Sequence, residues 1–81
     1  MGYSFVLTAQ DDTETDLHPG GRSAFREFLA EHDLLGWSYM SDLPALEKLA
    51  ASEQPGLFKD CLEKMAAELR RTGAISVEAL W

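Results

Sequence analysis

The apolar residues of segment 56–71 recur at helical spacing, and this pattern constrains the fold more than any other feature of the chain. They fall within a stripe about 100° wide, as on an amphipathic helix that buries one face. The stripe consists of Phe58, Cys61, Leu62, Met65 and Leu69. Arg70 and Arg71 suit the negative end of the helix dipole, and Gly73 is a natural stop residue. Segment 56–71 is therefore predicted to be a helix packed against the rest of the chain.

Two more helices are predicted from weaker versions of the same pattern. The first is expected to begin at Ser23, a good N-cap, and to end near Gly36. Its apolar side contains Phe25, Phe28, Leu29 and His32. The second is expected to begin after Ser41 or Asp42, with Pro44 tolerated in its first turn. Its apolar stripe contains Leu43, Leu46, Leu49 and Ala50.

Both ends of the chain alternate apolar with smaller or polar residues, which is typical of strands. We predict strands at 3–8 and 74–81, with 9–22 as a loop. The expected fold is α+β, a single domain (1–81) of order β-α-α-α-β. Its two terminal strands pair in a two-stranded sheet, which three helices cover on one face. Such a sheet has open edges that can recruit a strand from a second copy or from a partner.

The charge balance excludes some classes of function. Fourteen acidic and seven basic residues give a net charge of −7. A nucleic-acid binder needs cationic side chains, so nucleic acid is not expected, and neither is an anionic membrane surface. The single cysteine, Cys61, cannot form an internal disulfide. We see no signal peptide or membrane span, so a cytoplasmic protein is the expectation.

The segment 11–23, DDTETDLHPGGRS, concentrates negative charge between a predicted strand and a predicted helix. Its acids are Asp11, Asp12, Glu14 and Asp16. A calcium loop of the EF-hand type that began at Asp12 would need a glycine where Leu17 stands and a glutamate where Ser23 stands. We therefore expect no metal here, and we take the four acids as candidate partner-binding residues.

The tetrapeptide His18-Pro19-Gly20-Gly21 resembles a motif of the small b-type cytochrome haem domains. That resemblance implies His18 as an axial iron ligand, and only His32 could supply the second. The two histidines would have to approach within about 4 Å at the iron, which a loop folded over its own helix does not easily allow. We interpret the tetrapeptide as a turn leading to Ser23 and expect no cofactor. A haem- or metal-binding module built on residues 11–18 is the least favoured alternative.

No catalytic constellation is evident. Cys61 lies on an apolar stripe, where an inert thiol is expected, and a chain this short has little room for a substrate pocket. Trp37, Tyr39 and Met40 form an apolar cluster between the first two helices. Tyr and Trp are enriched at interfaces, so Trp37 and Tyr39 join the candidate partner-binding residues. Trp81 is equally compatible with core or interface.

The expected function is therefore not enzymatic. We predict a small acidic protein-binding module, such as an inhibitor, an immunity-type protein or a regulatory adaptor, that binds a basic protein stoichiometrically. In general plan it is similar to barstar-type inhibitors, which are small and acidic and close with a strand after a helix and a glycine, here residues 69–80. The chain lacks the middle strand of that fold. The alternative is a homo-oligomeric structural module, with a homodimer joined at a sheet edge.

Overall fold

Three helices and a three-stranded antiparallel sheet make up the described part of the protein. The computed structural model describes residues 4–34 and 41–80, without the side chains of Ser4 and Arg22. The elements are, in chain order, β1 (Ser4–Ala9), β2 (Glu14–Leu17), α1 (Arg22–Glu31), α2 (Leu43–Ser52), α3 (Leu57–Thr72) and β3 (Ile75–Leu80). The predicted α+β class is confirmed.

The sheet has the order β2-β1-β3, with β1 in the centre. The predicted pairing of the N- and C-terminal strands is present as the antiparallel pair of β1 with β3. The predicted two-stranded sheet and the order β-α-α-α-β are wrong, because part of the expected 9–22 loop forms β2. That strand runs back along β1 and pairs Leu17 with Phe5 and Glu14 with Thr8. The observed order is β-β-α-α-α-β.

The core lies between one face of the sheet and the helices. Leu7, Ile75 and Val77 on that face are fully buried. The ring of Phe25 from α1 contacts Phe5 of β1, with centroids 5.2 Å apart. The remaining buried apolar residues of the cluster come from the sheet and all three helices: Leu17, Leu29, Leu46, Ala50, Cys61, Leu62, Met65, Ala66 and Leu69.

The helix ends show which local signals were decisive. Asp42 caps α2 as predicted, since its carboxylate accepts from the Ala45 N–H at 3.1 Å. Gly73 ends α3 in the left-handed conformation (φ 92°), also as predicted. The predicted cap of α1 is wrong: the helix begins at Arg22 with Gly21 as N-cap, and Ser23 lies inside its first turn. The last regular residue of α1 is Glu31, and Gly36 lies outside the described residues.

Candidate functional site

The face of the sheet opposite the core is the most distinctive surface of the described chain. Side chains alternate along each strand, so the residues between the buried ones point away from the helices. We call this the outer face, which consists of Val6, Thr8, Glu14, Asp16, Ser76, Glu78 and Leu80. Glu14, Asp16 and Leu80 are exposed, Val6, Thr8 and Glu78 are half-buried, and Ser76 is buried.

The register places three carboxylates around the uncharged centre of the outer face. Val6 is opposite Asp16 on one side and Glu78 on the other, so that the three form one row across the sheet. In the next row, Thr8 is opposite Glu14. Two strand spacings separate Asp16 from Glu78 by about 10 Å at the backbone. The three acids take part in none of the ion pairs found within residues 4–34 and 41–80.

Charge is divided between the two layers of the fold. All seven lysines and arginines of the chain lie in the helices, together with six of the fourteen acids. Three further acids, Asp33, Asp42 and Glu53, lie at the ends of α1 and α2, so the helices and their ends together carry a net charge of −2. The strands and the turn that joins β1 to β2 contain five acids and no base: Asp11, Asp12, Glu14, Asp16 and Glu78. Most of the negative charge that a partner would meet is thus on the sheet side.

Asp11 is part of an ion-pair cluster rather than a free acid. The Arg71 guanidinium donates to its carboxylate at 2.7 Å and to Glu68 at 2.8 Å. The hydrogen bond from Arg71, together with the one from Thr13 N–H, holds the pKa of Asp11 well below its usual range. The same guanidinium lowers the pKa of Glu68, and the two carboxylates raise the pKa of Arg71. Arg71 therefore offsets much of the charge of Asp11.

The six residues predicted as a binding site do not form one group. Glu14 and Asp16 lie together on the outer face. Asp12 lies at the tip of the hairpin, in a left-handed conformation with φ 70°, and Asp11 is paired with Arg71. Trp37 and Tyr39 lie outside the described residues, as do Met40 and Trp81.

Glu78 is not among the binding residues predicted from the sequence. The signal was present, because Glu78 alternates with Val77 and Ala79 in a segment predicted as a strand. Its position fixes it on the face opposite the apolar side chains. What the sequence did not show is that Glu14 and Asp16 also belong to a strand, and only the sheet order brings them to the same face as Glu78.

The His18-Pro19-Gly20-Gly21 segment is a turn in which the Gly21 N–H donates to the Pro19 carbonyl at 3.1 Å, but it leads to Gly21 as the cap of α1 and not to Ser23. Gly20 has φ +84°, and a Cβ at this position would lie 2.9 Å from Cδ1 of Leu57. The positive φ favours glycine there, whereas the exposed side chain of Leu57 can move away from a Cβ. Gly21 then caps α1, and its carbonyl accepts from the Phe25 N–H at 2.9 Å. The geometry thus accounts for the glycine at position 20, while Gly21 has a φ of −86° that other residues adopt as well.

The two histidines line different cavities. His18 lies beside the groove along α3 that contains Asp60, Cys61 and Lys64, where burial raises the pKa of the Cys61 thiol. The ring of His32 contacts that of Phe28 at a tilt of 54°, with the centroids 4.8 Å apart. His32 lines a cleft of about 560 Å³ between the residues that follow α1 and helix α2. The two cavities share no described residue. Within the described ranges, no cluster of three or more acidic, histidine or cysteine side chains is arranged to hold a metal ion.

Comparison with known proteins gives no match to a family model, a curated protein or a solved structure. Among the described helices, none combines the length and apolar character needed to cross a membrane.

Proposed function

We propose that this protein is a small acidic binding module that engages a basic protein through the outer face of its sheet. It acts by stoichiometric binding, as an inhibitor, an immunity-type protein or a regulatory adaptor does, and not as an enzyme. The observation that carries the proposal is the register that gathers Glu14, Asp16 and Glu78 around Val6 and Thr8, without a basic residue on any strand.

This arrangement has the two parts of a protein-binding surface. Val6 and Thr8 supply a half-buried centre that a partner can cover, and the carboxylates form a polar rim. Like charges held on one face repel one another, and a cationic partner relieves that repulsion. Rim charges act mainly on the rate of encounter, so the acids are expected to steer association more than they fix its final affinity.

Site-specific photo-crosslinking in the source cell tests the proposal. A photoreactive phenylalanine derivative is placed at Thr8, in the centre of the outer face, and in a second variant at Ala30, an exposed position of α1. We expect the Thr8 variant to capture one basic protein in a one-to-one adduct that the Ala30 variant does not form. Equal capture from both positions would contradict the proposal, as would an acidic partner.

The captured protein then allows a kinetic test of the acids. The variant E14Q/D16N/E78Q removes three charges from the outer face, and the control E27Q/E31Q/E63Q removes three exposed charges from the helices. We expect the first to lower the association rate constant about tenfold at low ionic strength and the control to change it much less. The difference should shrink when salt reduces the screening length to about 8 Å or below. Equal effects of the two variants would show that net charge, and not this face, governs encounter.

A further inference from the structure

Neither edge of the sheet is suited to a strand from a partner. β2 is four residues long, carries Glu14 and Asp16, and is followed by Pro19 two residues after its end. Short length, charge and proline are the usual means by which a sheet edge avoids recruiting another strand. At the opposite edge, Ile75 and Val77 of β3 are 0% exposed, so their backbone is covered in the folded chain. A partner is therefore expected on the outer face and not at an edge.

The width of the outer face matches that of an α-helix. Asp16 on β2 and Glu78 on β3 lie on either side of Val6, about 10 Å apart at the backbone. An α-helix with its side chains is about 10 to 12 Å across. A helix laid along β1 would therefore cover Val6 and Thr8 and have carboxylates on both of its flanks.

The outer face also offers a helix an apolar line of contact. Leu80 is 45% exposed and lies diagonally across from the half-buried Val6, since Val6 is opposite Glu78, two residues before Leu80. Diagonal neighbours of this kind are about 7 to 8 Å apart, close enough for one apolar stripe to contact both. From Leu80 to Glu14 the face is three rows of residues long, about 14 Å, which corresponds to about nine helical residues.

We infer that the outer face binds an amphipathic α-helix of the basic partner, laid along β1, with lysine or arginine on both sides of its apolar stripe. This inference rests on the proposed function and names the element through which that partner binds. An extended segment is disfavoured, because its backbone groups would have no partners on a sheet face, whereas a helix satisfies its own. A second copy of this chain is disfavoured too, since two acidic faces repel each other.

The acids divide unevenly between the two flanks of the helix. Glu14 and Asp16 are two residues apart on β2, about 7 Å, which is close to the rise of about 6 Å between helical positions i and i+4. Two bases at that spacing on the helix can therefore meet both carboxylates. A base on the other flank meets Glu78. Because these contacts lie near the surface, each is expected to change the affinity about threefold.

Two synthetic peptides of equal charge test the inference by nuclear magnetic resonance. The first is a helical peptide of about 14 residues, with leucine along one stripe and arginine on both flanks. The second has proline at two central positions, which prevents the helix and keeps the charge. We expect the helical peptide to bind about tenfold more tightly and to shift the amide signals of Val6, Thr8 and Glu78.

The other outcomes separate this inference from the proposed function. If the two peptides bound the outer face with equal affinity, the inferred helix would be wrong, while the proposed binding of a basic partner by this face would stand. If both peptides shifted signals on the helices instead of the outer face, both proposals would be contradicted.

Two variants test how the helix lies on the face. E14Q/D16N removes the carboxylates of the β2 flank and E78Q removes the one of the β3 flank. We expect them to weaken binding of the helical peptide about tenfold and about threefold, respectively. The control E27Q removes one exposed charge from α1 and should change the affinity little.

A third peptide, helical but with arginine on one flank only, completes the test. It should turn that flank toward the two acids of β2, so E14Q/D16N should still weaken its binding and E78Q should not. If E78Q weakened the binding of both helical peptides equally, the bases would not be divided between the two flanks, and the inferred placement along β1 would be overturned.

Discussion

At the scale of single residues, neighbouring carboxylates of the β1–β2 hairpin have different roles. Asp11 accepts from Arg71 at 2.7 Å and from the Thr13 N–H at 3.1 Å, and so ties the hairpin to the end of α3. Asp12, the next residue, supplies the left-handed conformation that the turn needs, which aspartate adopts more readily than most residues. In the sequence both were simply acids in a loop, because the sequence does not show that Arg71 is close to the hairpin.

The pair of Asp11 with Arg71 makes the stability of the fold depend on pH. Because folding lowers the pKa of Asp11, its contribution is present above the unfolded value of about 3.9 and is lost as the pH falls through the lower folded value. Asp11→Asn keeps the side-chain size and an oxygen for the Thr13 N–H but removes the charge. We expect this variant to have a smaller free energy of unfolding than the unmodified protein near neutral pH, and the difference to vanish in strong acid. Urea unfolding across that pH range measures it.

Asp12→Asn is the matched control for that experiment. It removes the same charge one residue away, and asparagine also tolerates the left-handed conformation. We expect its free energy of unfolding to follow that of the unmodified protein as the pH changes. If both variants lost the same pH-dependent stability, the ion pair with Arg71 would not be the cause.

At the scale of elements, α3 was predictable and β2 was not. The apolar stripe of α3 predicted residues 56–71, and the observed helix is Leu57–Thr72. β2 has the sequence ETDL, in which Asp and Glu are poor strand formers and only Leu17 is buried. A four-residue strand shows too little alternation to distinguish it from a loop, and it depends on pairing with β1. The candidate site could therefore be predicted only in part, because its Glu14 and Asp16 belong to a strand that the sequence does not indicate.

Leu17 should contribute most of the packing energy of β2. It is 3% exposed and lies opposite Phe5 in the core. We expect Leu17→Ala to lower the free energy of unfolding by about 2 to 4 kcal/mol, through lost burial and the cavity it leaves. The control His18→Ala changes the next, exposed residue and should alter it by about 0.5 kcal/mol or less. Chemical unfolding with an unchanged m-value would show that stability alone has changed. A small effect of Leu17→Ala would mean that β2 does not pack against the core.

At the scale of the whole molecule, the acids gathered on the outer face favour the binding of a cationic partner but lower the stability of the free protein. The helical layer combines bases and acids in pairs such as Arg70 with Glu47 and Arg71 with Glu68. The outer face holds its acids without a base on the strands, so their repulsion persists until a partner arrives. We therefore interpret the separation as the arrangement expected of a binding surface, since a face selected only for stability would mix charges of both signs.

This interpretation predicts opposite effects from two substitutions that remove one negative charge each. Glu78→Gln relieves repulsion from Asp16, which at about 10 Å in water is worth about 0.4 kcal/mol, and should raise the free energy of unfolding. Glu68→Gln weakens the hydrogen bonds with Arg71, at 2.8 and 3.0 Å, and should lower it. Unfolding by urea at about 20 mM and about 500 mM salt measures both, and salt should reduce both effects. The two variants have the same net charge. If their effects on the free energy of unfolding had the same sign at low salt, overall charge would determine the electrostatic part of the stability, and not the placement of charge on the outer face.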